Sequence, residues 1–186
     1  MRAKNSGQSA LLLLDVIDLL SEKKIPYAII GALAASFYGT VRASVDADAI
    51  ISLATSPLSA GDLAHLLSQS GMPAGYRRGD GDDPLQGVIS VKDKYGNRVD
   101  LITGIKGMDD NAFNRTAVTS FLKHKICLIG VEDFIAMKLF AGSTKDIADA
   151  RAAIDISRPR INTSLLREIV QKYGKRTSHL LDSLLK

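Results

Sequence analysis

The chain has 186 residues, of which 46% are hydrophobic, and its 24 Lys and Arg against 20 Asp and Glu give a net charge of +4 at pH 7. This composition excludes a disordered chain and suits one domain with a substantial core. The single Cys127 excludes an internal disulfide and, with three scattered histidines, offers no zinc-type spacing. We therefore expect a reduced, cytoplasmic protein whose moderate basic bias favours an anionic partner such as a nucleotide or RNA.

The N-terminal segment is predicted to be a helix of the scaffold. Leu12, Val16 and Leu19 recur at helical spacing with acidic residues between them, which indicates an amphipathic helix over residues 9–23. The apolar run 11–14 resembles part of a signal peptide, but acidic residues interrupt it and no small-residue cleavage site follows. No segment approaches the roughly 20 apolar residues of a membrane span, so we expect no membrane partner.

A strand followed at once by a helix is predicted over residues 27–38. The apolar run Tyr27 to Ile30 stops at Gly31, and a helix-favouring segment begins there and ends at Gly39. Free N–H groups at the start of a helix suit a phosphate, and a glycine lets a ligand approach the main chain closely. A glycine at such a turn can also serve packing alone, so both interpretations stay open at this point.

A second predicted strand, Val45 to Ser52, carries two acidic residues. Asp46 and Asp48 lie two positions apart, so both carboxylates point to the same side of the strand. Two like charges held this close repel each other, and hard oxygen ligands of this kind suit Mg²⁺ or Mn²⁺. A solvated strand edge or a turn cap is the alternative explanation for an Asp-x-Asp pair.

The middle of the chain is predicted to contain a helix, a loop and a β-hairpin. Apolar residues at helical spacing indicate a helix over 58–70, and the segment 71–84, rich in Gly, Pro, Asp and Arg, has the composition of a loop. Two strand-like runs, 86–92 and 98–103, flank a turn signal at residues 94–97.

Asp100 is the third candidate carboxylate. It lies within the apolar strand 98–103, where a charged side chain is costly to bury unless it has a partner. In one interpretation that partner is a metal ion shared with Asp46 and Asp48. In the other, Asp100 lies on the exposed face of the strand and pairs with Arg98.

The C-terminal third is predicted to be mainly helical. After a loop or short helix at 107–114, two strand-like runs, 116–122 and 125–129, precede a change to helical spacing. The residues Ser143 to Asp146 match a capping box, which explains an acidic residue there without any catalysis. The predicted helices begin near residues 131, 144, 163 and 178. Basic residues are frequent in this region, and either an RNA-facing surface or a solvated helix face explains them. They are Arg158, Arg160, Arg167, Lys172, Lys175 and Arg176.

The segment around the first glycine resembles the signature of the nucleotidyltransferase (polymerase β-like) superfamily. In that signature Gly-[Gly/Ser] opens a helix, and Asp-x-[Asp/Glu] follows on the next strand. Gly31 and Ala32 stand at the first pair, and Asp46 and Asp48 at the second. Ala32 departs from the family pattern, because a Gly or Ser is usual there and the missing hydroxyl removes one phosphate contact.

Two further runs resemble the AbiEii-like branch of this superfamily, which includes toxin nucleotidyltransferases. Gly39 and Arg42 match the run G-x-x-R-x-S/T-x-D-x-D that leads into the two aspartates. Later, in KLFAGSTKDIADA, a Lys is followed on the next helix by a basic residue and Asp-x-x-Asp. The matching positions are Lys138, Lys145, Asp146 and Asp149.

The resemblance implies an α+β fold with a nucleotidyltransferase-like mixed β-sheet flanked by helices and a helical C-terminal part. We place the nucleotidyltransferase core at residues 1–130 and the helical part, packed on that core, at 131–186. The family also has an acidic residue on a later strand beside the Asp-x-Asp strand, and Asp100 matches it.

The implied activity is metal-dependent transfer of an NMP from an NTP to an acceptor hydroxyl, with Mg²⁺ or Mn²⁺ as the cofactor in a two-ion clamp. The implied catalytic residues are Asp46, Asp48 and Asp100, which also bind the metal, together with Lys138 and Asp149. The implied nucleotide-binding residues are Gly31, Ala32, Arg42, Lys138, Lys145 and Asp146.

The acceptor is open at this point. The toxin branch implies tRNA as acceptor and an antitoxin-like protein as partner, and a small molecule such as an aminoglycoside is the alternative within the enzyme class. Two other classes compete with the enzyme. One is a non-catalytic binding or regulatory module of the same fold, which Ala32 favours, and the other is a basic RNA-binding protein whose carboxylates are structural.

Overall fold

The computed structural model describes residues 1–41 and 43–186 and confirms the predicted α+β architecture, a mixed sheet with helices on both faces. Arg42, one of the predicted nucleotide-binding residues, lies outside the described residues. The strands are β1 (Tyr27–Ile29), β2 (Asp46–Ile51), β3 (Ala74–Arg78), β4 (Gly87–Lys92), β5 (Arg98–Ile102), β6 (Ala117–Phe121) and β7 (His124–Leu128). The helices are α1 (Ser9–Glu22), α2 (Gly31–Phe37), α3 (Ala60–Gln69), α4 (Val131–Ala141), α5 (Thr144–Ser157), α6 (Thr163–Lys172) and α7 (Lys175–Leu184), and a 3₁₀ helix spans Asp110–Arg115.

The strands form one sheet in the order β3-β4-β5-β2-β1-β7-β6. β2 pairs in parallel with β5, and β1 in parallel with β7, whereas the other neighbours are antiparallel. β2, which carries the Asp-x-Asp pair, is therefore the central strand, and the strand of Asp100 is its direct neighbour.

The side chains of β2 alternate between two cores. Ala49 and Ile51 belong to the core that leucines of α1 and α3 fill on one face of the sheet. Ile50 belongs to the other core, which α2 and α4–α7 fill. Because Asp46 and Asp48 have the same parity as Ile50, both carboxylates lie on the face that α2 and α4 cover.

Three predicted boundaries are corrected by the structure. The predicted loop over 71–84 is wrong at Ala74–Arg78, where the structure has β3. This strand pairs antiparallel with β4 at the edge of the sheet, although its side chains are mostly exposed. The sequence does not indicate this strand, because Gly and Arg are not typical strand residues and its side chains are mostly exposed, so no buried apolar pattern marks it. α3 begins at Ala60, after the predicted start, because Ser59 and Asp62 form a capping box there. α7 begins at Lys175, three residues before the predicted start.

The helices α4–α7 pack in the same core as α2 and the centre of the sheet. Phe134 and Ile154 from these helices share that core with Ala34 of α2 and Ile50 of β2. The division into a core over 1–130 and a helical part over 131–186 stays a prediction. No described helix is both long enough and apolar enough to cross a membrane.

Candidate active site

Three carboxylates converge where β2 and β5 lie side by side. The parallel register places Asp46 beside Arg98 and Asp48 beside Asp100. Alternate residues of both strands face the same way. One carboxylate oxygen from each of Asp46, Asp48 and Asp100 therefore lies within 4.8 Å of the other two. The sequence pattern therefore brings its three candidate ligands together, and a cluster of hard oxygen donors of this size suits Mg²⁺ or Mn²⁺.

Gly31 forms the turn from β1 into α2 directly against Asp48. Its φ of +63° is in the left-handed region, and a Cβ built on it would overlap the Oδ2 atom of Asp48. The backbone N–H of Ile30 also donates to the carbonyl oxygen of Asp48 at 3.0 Å. A glycine is needed here for two reasons, since any side chain would strain the backbone and displace the carboxylate.

The surroundings of Asp48 disfavour its charged form. Burial, as the largest cause, and the nearby charges of Asp46 and Asp100 together raise the pKa of Asp48 to about 6, although Lys138 and Arg98 partly offset the shift. The folded chain therefore holds this group where its charged form is disfavoured. A divalent cation would reverse that preference, because it interacts only with the ionised form.

Asp100 is held by two neighbours. Arg98, two residues earlier on the same face of β5, places its Nε atom 2.9 Å from Oδ1 and its Nη2 atom 2.7 Å from Oδ2. Ser90 of β4, directly opposite Asp100, donates its hydroxyl to Oδ1 at 2.7 Å. Asp100 therefore lies beside Asp48, as a shared metal site requires, and also pairs with Arg98, as the alternative interpretation requires.

Lys138, Asp146 and Asp149 form a second charged cluster. The Nζ atom of Lys138 lies 2.8 Å from Oδ1 of Asp146 and 2.9 Å from Oδ2 of Asp149. Burial alone would raise the pKa of Asp146, but the hydrogen bonds from Lys138 and Ser143 outweigh burial and lower it. Asp146 also belongs to the start of α5, where Ser143 accepts from its backbone N–H, so its capping role is real. The structure brings these three predicted residues together in one group of ion pairs.

A cavity of about 340 Å³ lies beside the carboxylates. Gly31, Asp48, Lys138 and Asp146 line it, so it contacts both charged clusters. The rest of its wall is largely apolar and comes from the segment after β3, from β5 and the residues that follow it, and from α4. These wall residues include Leu85, Ile102, Ile105, Phe134, Met137 and Phe140. The site combines a charged floor with an apolar wall, which is the usual composition of a small-molecule pocket.

Two predicted nucleotide-binding residues lie outside this cavity. Ala32 is buried and lines a separate cavity of about 170 Å³ together with Asp46, Ser36 and Ser44. Lys145 is exposed on the first turn of α5 and lines none of the cavities described. The assignment of Ala32 and Lys145 as nucleotide-binding residues stays a prediction.

Ser90 and the apolar wall of the cavity are not among the residues that the sequence predicts for the site. Ser90 interrupts the apolar run GVISVK, and a polar residue in a half-buried strand is a signal that a partner faces it. The wall residues carry no such signal, because apolar residues at helical spacing in α4 look the same whether they pack in a core or line a pocket.

No protein-family model matches this sequence, and no curated protein matches it significantly. Solved structures do match in fold. An antigenic nucleotidyltransferase-like protein from Paracoccidioides brasiliensis has a TM-score of 0.56 at 16% identity, over 98% of this chain and 95% of that one. ANT(2'')-Ia, solved in complex with adenylyl-2''-tobramycin, has a TM-score of 0.58 at 12% identity, over 88% of this chain and 95% of that one.

The lincosamide antibiotic adenylyltransferase LnuA, solved with lincomycin bound, has a TM-score of 0.50 at 16% identity, over 77% of this chain and 95% of that one. Identities this low bear on the fold alone, so the AbiEii-like branch stays a prediction. By its mixed sheet, its flanking helices and these likenesses, this chain has the nucleotidyltransferase fold.

Proposed function

We propose that the protein is a metal-dependent nucleotidyltransferase that moves an NMP from an NTP to an acceptor hydroxyl. The observation that carries this proposal is the convergence of Asp46, Asp48 and Asp100 from two parallel strands, beside a glycine turn and a cavity. In the reaction, the acceptor hydroxyl attacks the α-phosphorus in line, its proton leaves to a base, and pyrophosphate departs. The nucleotidyltransferase fold of the chain supports this class of chemistry.

The three carboxylates have distinct roles in the proposed reaction. Divalent ions held there, two in the clamp that the resemblance implies, would stabilise the entering and leaving oxygens. Asp46 and Asp48 lie on one strand and would hold the ions jointly, where the ions would supply charge stabilisation to the reacting oxygens. Asp100 lies beside Asp48 and is the carboxylate best placed to orient and help deprotonate the acceptor hydroxyl.

The remaining predicted residues act on the nucleotide. Gly31 lets the β and γ phosphates approach the main chain next to Asp48, with Ala32 and Arg42 as further contacts. Lys138 is held by Asp146 and Asp149 at the edge of the same cavity, where its ammonium can meet the triphosphate or the acceptor. The largely apolar wall suits an uncharged ring of either substrate.

Two acceptors are open to the proposed enzyme. The AbiEii-like resemblance favours tRNA, with an antitoxin-like protein as partner. The basic C-terminal residues give tRNA only partial support, because Arg167 pairs with Asp182 and Lys172 with Asp109. A small molecule is the second candidate, and the likeness to ANT(2'')-Ia and LnuA, each solved with an antibiotic or its adenylyl derivative, favours it.

A label-transfer assay tests the proposal. The protein is incubated with each α-labelled NTP and Mg²⁺, first with total cell RNA and then with a panel of aminoglycosides and lincosamides. We expect label in one of the two acceptor classes and none with Asp46→Asn/Asp48→Asn. The control is Asp155→Asn, an exposed residue of α5 that pairs only loosely with Arg158.

Three results would count against the proposal. Equal labelling by the double variant would show that Asp46 and Asp48 are not needed for the reaction. Absence of both label transfer and Mg²⁺-dependent NTP binding by calorimetry would leave the non-catalytic module as the better interpretation. RNA binding that weakens with salt but is unchanged in the double variant would favour the basic RNA-binding protein.

A further inference from the structure

The sheet has an open edge at β6. This strand, Ala117–Phe121, is the last in the sheet order, and within the part of the chain that the structure describes no strand pairs with its outer side. A sheet edge presents unpaired N–H and C=O groups, and proteins usually protect it with charged residues or proline. β3 at the opposite edge carries Arg77 and Arg78, whereas the β6 sequence AVTSF has neither a charge nor a proline. The β6 edge is therefore the one that lacks protection against a further strand.

The turn between β6 and β7 determines which backbone groups point outward. It has two residues with φ of +48° and +67°, as in a type I′ hairpin, so the flanking pair Phe121 and His124 is hydrogen-bonded. Hydrogen-bonded and non-hydrogen-bonded pairs alternate along an antiparallel ladder. Val118 and Ser120 belong to the second kind, so they turn their N–H and C=O groups to the open side of β6.

A groove lies beside this edge. It is a cavity of about 450 Å³ between β6, the end of α2, the start of α4 and the end of α5, and we call it the β6 groove. Three large apolar side chains that line it are well exposed, Val118 at 67%, Ile156 at 52% and Phe37 at 39%. Because Val118 belongs both to the groove and to the open edge, a strand added beside β6 would cover this apolar surface.

The charges that line the β6 groove leave one arginine without a partner. Arg115 makes a two-point contact with the buried Asp133, so its charge is already neutralised. Glu132 is the one acidic side chain among the described lining residues, and its Oε1 atom accepts from the backbone N–H of Asn162 at 2.9 Å. Arg160 is exposed and forms no ion pair with any described residue. It therefore offers a positive charge to an acidic side chain of an occupant.

The β6–β7 hairpin adds positive charge and disfavours a second copy of the chain as the occupant. Lys125 lies opposite Ser120, on the face of the sheet that carries Val118. Residues 117–128 contain Lys123 and Lys125 and no Asp or Glu. Two copies paired at this edge would bring these lysines together without an acidic partner, whereas an acidic segment would neutralise them.

We infer that the β6 edge and the β6 groove form a docking surface for an extended acidic segment of a partner protein. The segment adds as an eighth strand beside β6 and exchanges backbone hydrogen bonds with Val118 and Ser120. Alternate side chains of a strand face the same way, so an apolar and an acidic residue two positions apart meet the groove and Arg160 together. The inference is independent of the proposed function, because β1 and β7 separate β6 from the carboxylates of β2.

A display library of random short peptides, selected on the immobilised wild-type protein, supplies the probes for a test. We expect enriched peptides to carry apolar and acidic residues two positions apart. Their affinities are then measured by fluorescence anisotropy with labelled synthetic copies. Ser120→Pro removes an outward N–H but none of the bonds to β7, and it should weaken binding by about tenfold or more.

Two charge variants test the preference for acidic peptides. Arg160→Glu should weaken binding of the acidic peptides by about tenfold or more. Arg151→Glu makes the same change at an exposed position of α5 outside the groove, and it should leave binding unchanged. Equal binding by wild type and Arg160→Glu, enrichment of basic peptides, or no enrichment would overturn the acidic partner.

Peptides methylated on alternate backbone nitrogens test strand addition on the wild-type protein, so the result does not depend on the folding of Ser120→Pro. We expect methylation of the N–H groups that face β6 to abolish binding, and methylation of the other set to leave it unchanged. Equal effects of the two sets, or full binding by folded Ser120→Pro, would overturn strand addition. A wild-type dimer in sedimentation velocity that Ser120→Pro converts to a monomer would identify a second copy as the occupant and would also overturn the inference.

Discussion

Asp48→Asn tests whether the three carboxylates repel one another in the metal-free protein. The substitution keeps the shape of the side chain and removes its charge. Burial and the charges of Asp46 and Asp100 raise the pKa of Asp48 from 3.8 to about 6 in the folded chain. An acid whose pKa is raised by folding lowers the stability of the folded state as pH rises through that interval. The cost is absent below pH 3.8 and complete above about pH 6.

The magnitude follows from the size of the shift. A rise from 3.8 to about 6 corresponds to about 3 kcal/mol of destabilisation by wild-type Asp48 at pH 7. In EDTA at pH 7 we expect Asp48→Asn to be more stable than the wild type by about 3 kcal/mol, or roughly 6–12 °C in Tm for a chain of this size. At about pH 3.5 both proteins carry a neutral side chain, so the difference should vanish.

Urea unfolding at the two pH values measures the effect, with Asp155→Asn as the exposed control, expected to change stability by less than about 0.5 kcal/mol. Mg²⁺ should remove most of this difference. At ~100 times its dissociation constant it adds about 2.7 kcal/mol to the wild type, and the variant should lose most of this gain with its ligand. Equal stability in EDTA at pH 7 would refute the reasoning, because it would mean that the folded chain does not disfavour the charge of Asp48.

Three further substitutions, the first with a matched control, test the surrounding structure by urea unfolding. Gly31→Ala should cost about 1–2 kcal/mol for its left-handed backbone and about 1–3 more for crowding the carboxylate beside it. Gly71→Ala, with φ of +81° and open space around it, should show only the first part, and equal losses would contradict the crowding. Arg115→Met leaves the buried Asp133 carboxylate without its two-point partner and should lower the free energy of unfolding by about 3–5 kcal/mol. A decrease below about 1 kcal/mol would mean that water solvates this ion pair. Ser59→Ala removes the cap of α3 and should cost about 1 kcal/mol, and no loss would mean that the cap is redundant.

The parts of the site that the sequence predicts are those set by local periodicity. Asp46 and Asp48 share a face because strand side chains alternate, and the apolar residues between and after them fix which face that is. Gly31 is predictable because a left-handed turn from strand to helix favours glycine. The pairing of β2 with β5 was an expectation of the family resemblance, and the parallel register of Asp48 with Asp100 agrees with it.

The parts that the sequence does not predict depend on contacts between distant segments. β3 is exposed on most of its length, so no alternation of apolar residues marks it, and only its pairing with β4 makes it a strand. The cavity wall joins Leu85, which follows β3, to Phe134 and Phe140 of α4. The identities of these residues predict burial, but burial in a core and exposure to a cavity have the same local pattern.

The packing of the sheet determines the positions of the three carboxylates. Ala47, Ala49 and Ile51 fill the core under α1 and α3, so a slip of β2 by one residue would move two aspartates into that core. The cost of burying those charges keeps the register fixed even though the carboxylates repel each other in the metal-free chain. Side chains held by a central strand are also positioned more rigidly than side chains on a loop. The protein can therefore hold three like charges together without a ligand, because the free energy that keeps them there comes from the apolar residues between them.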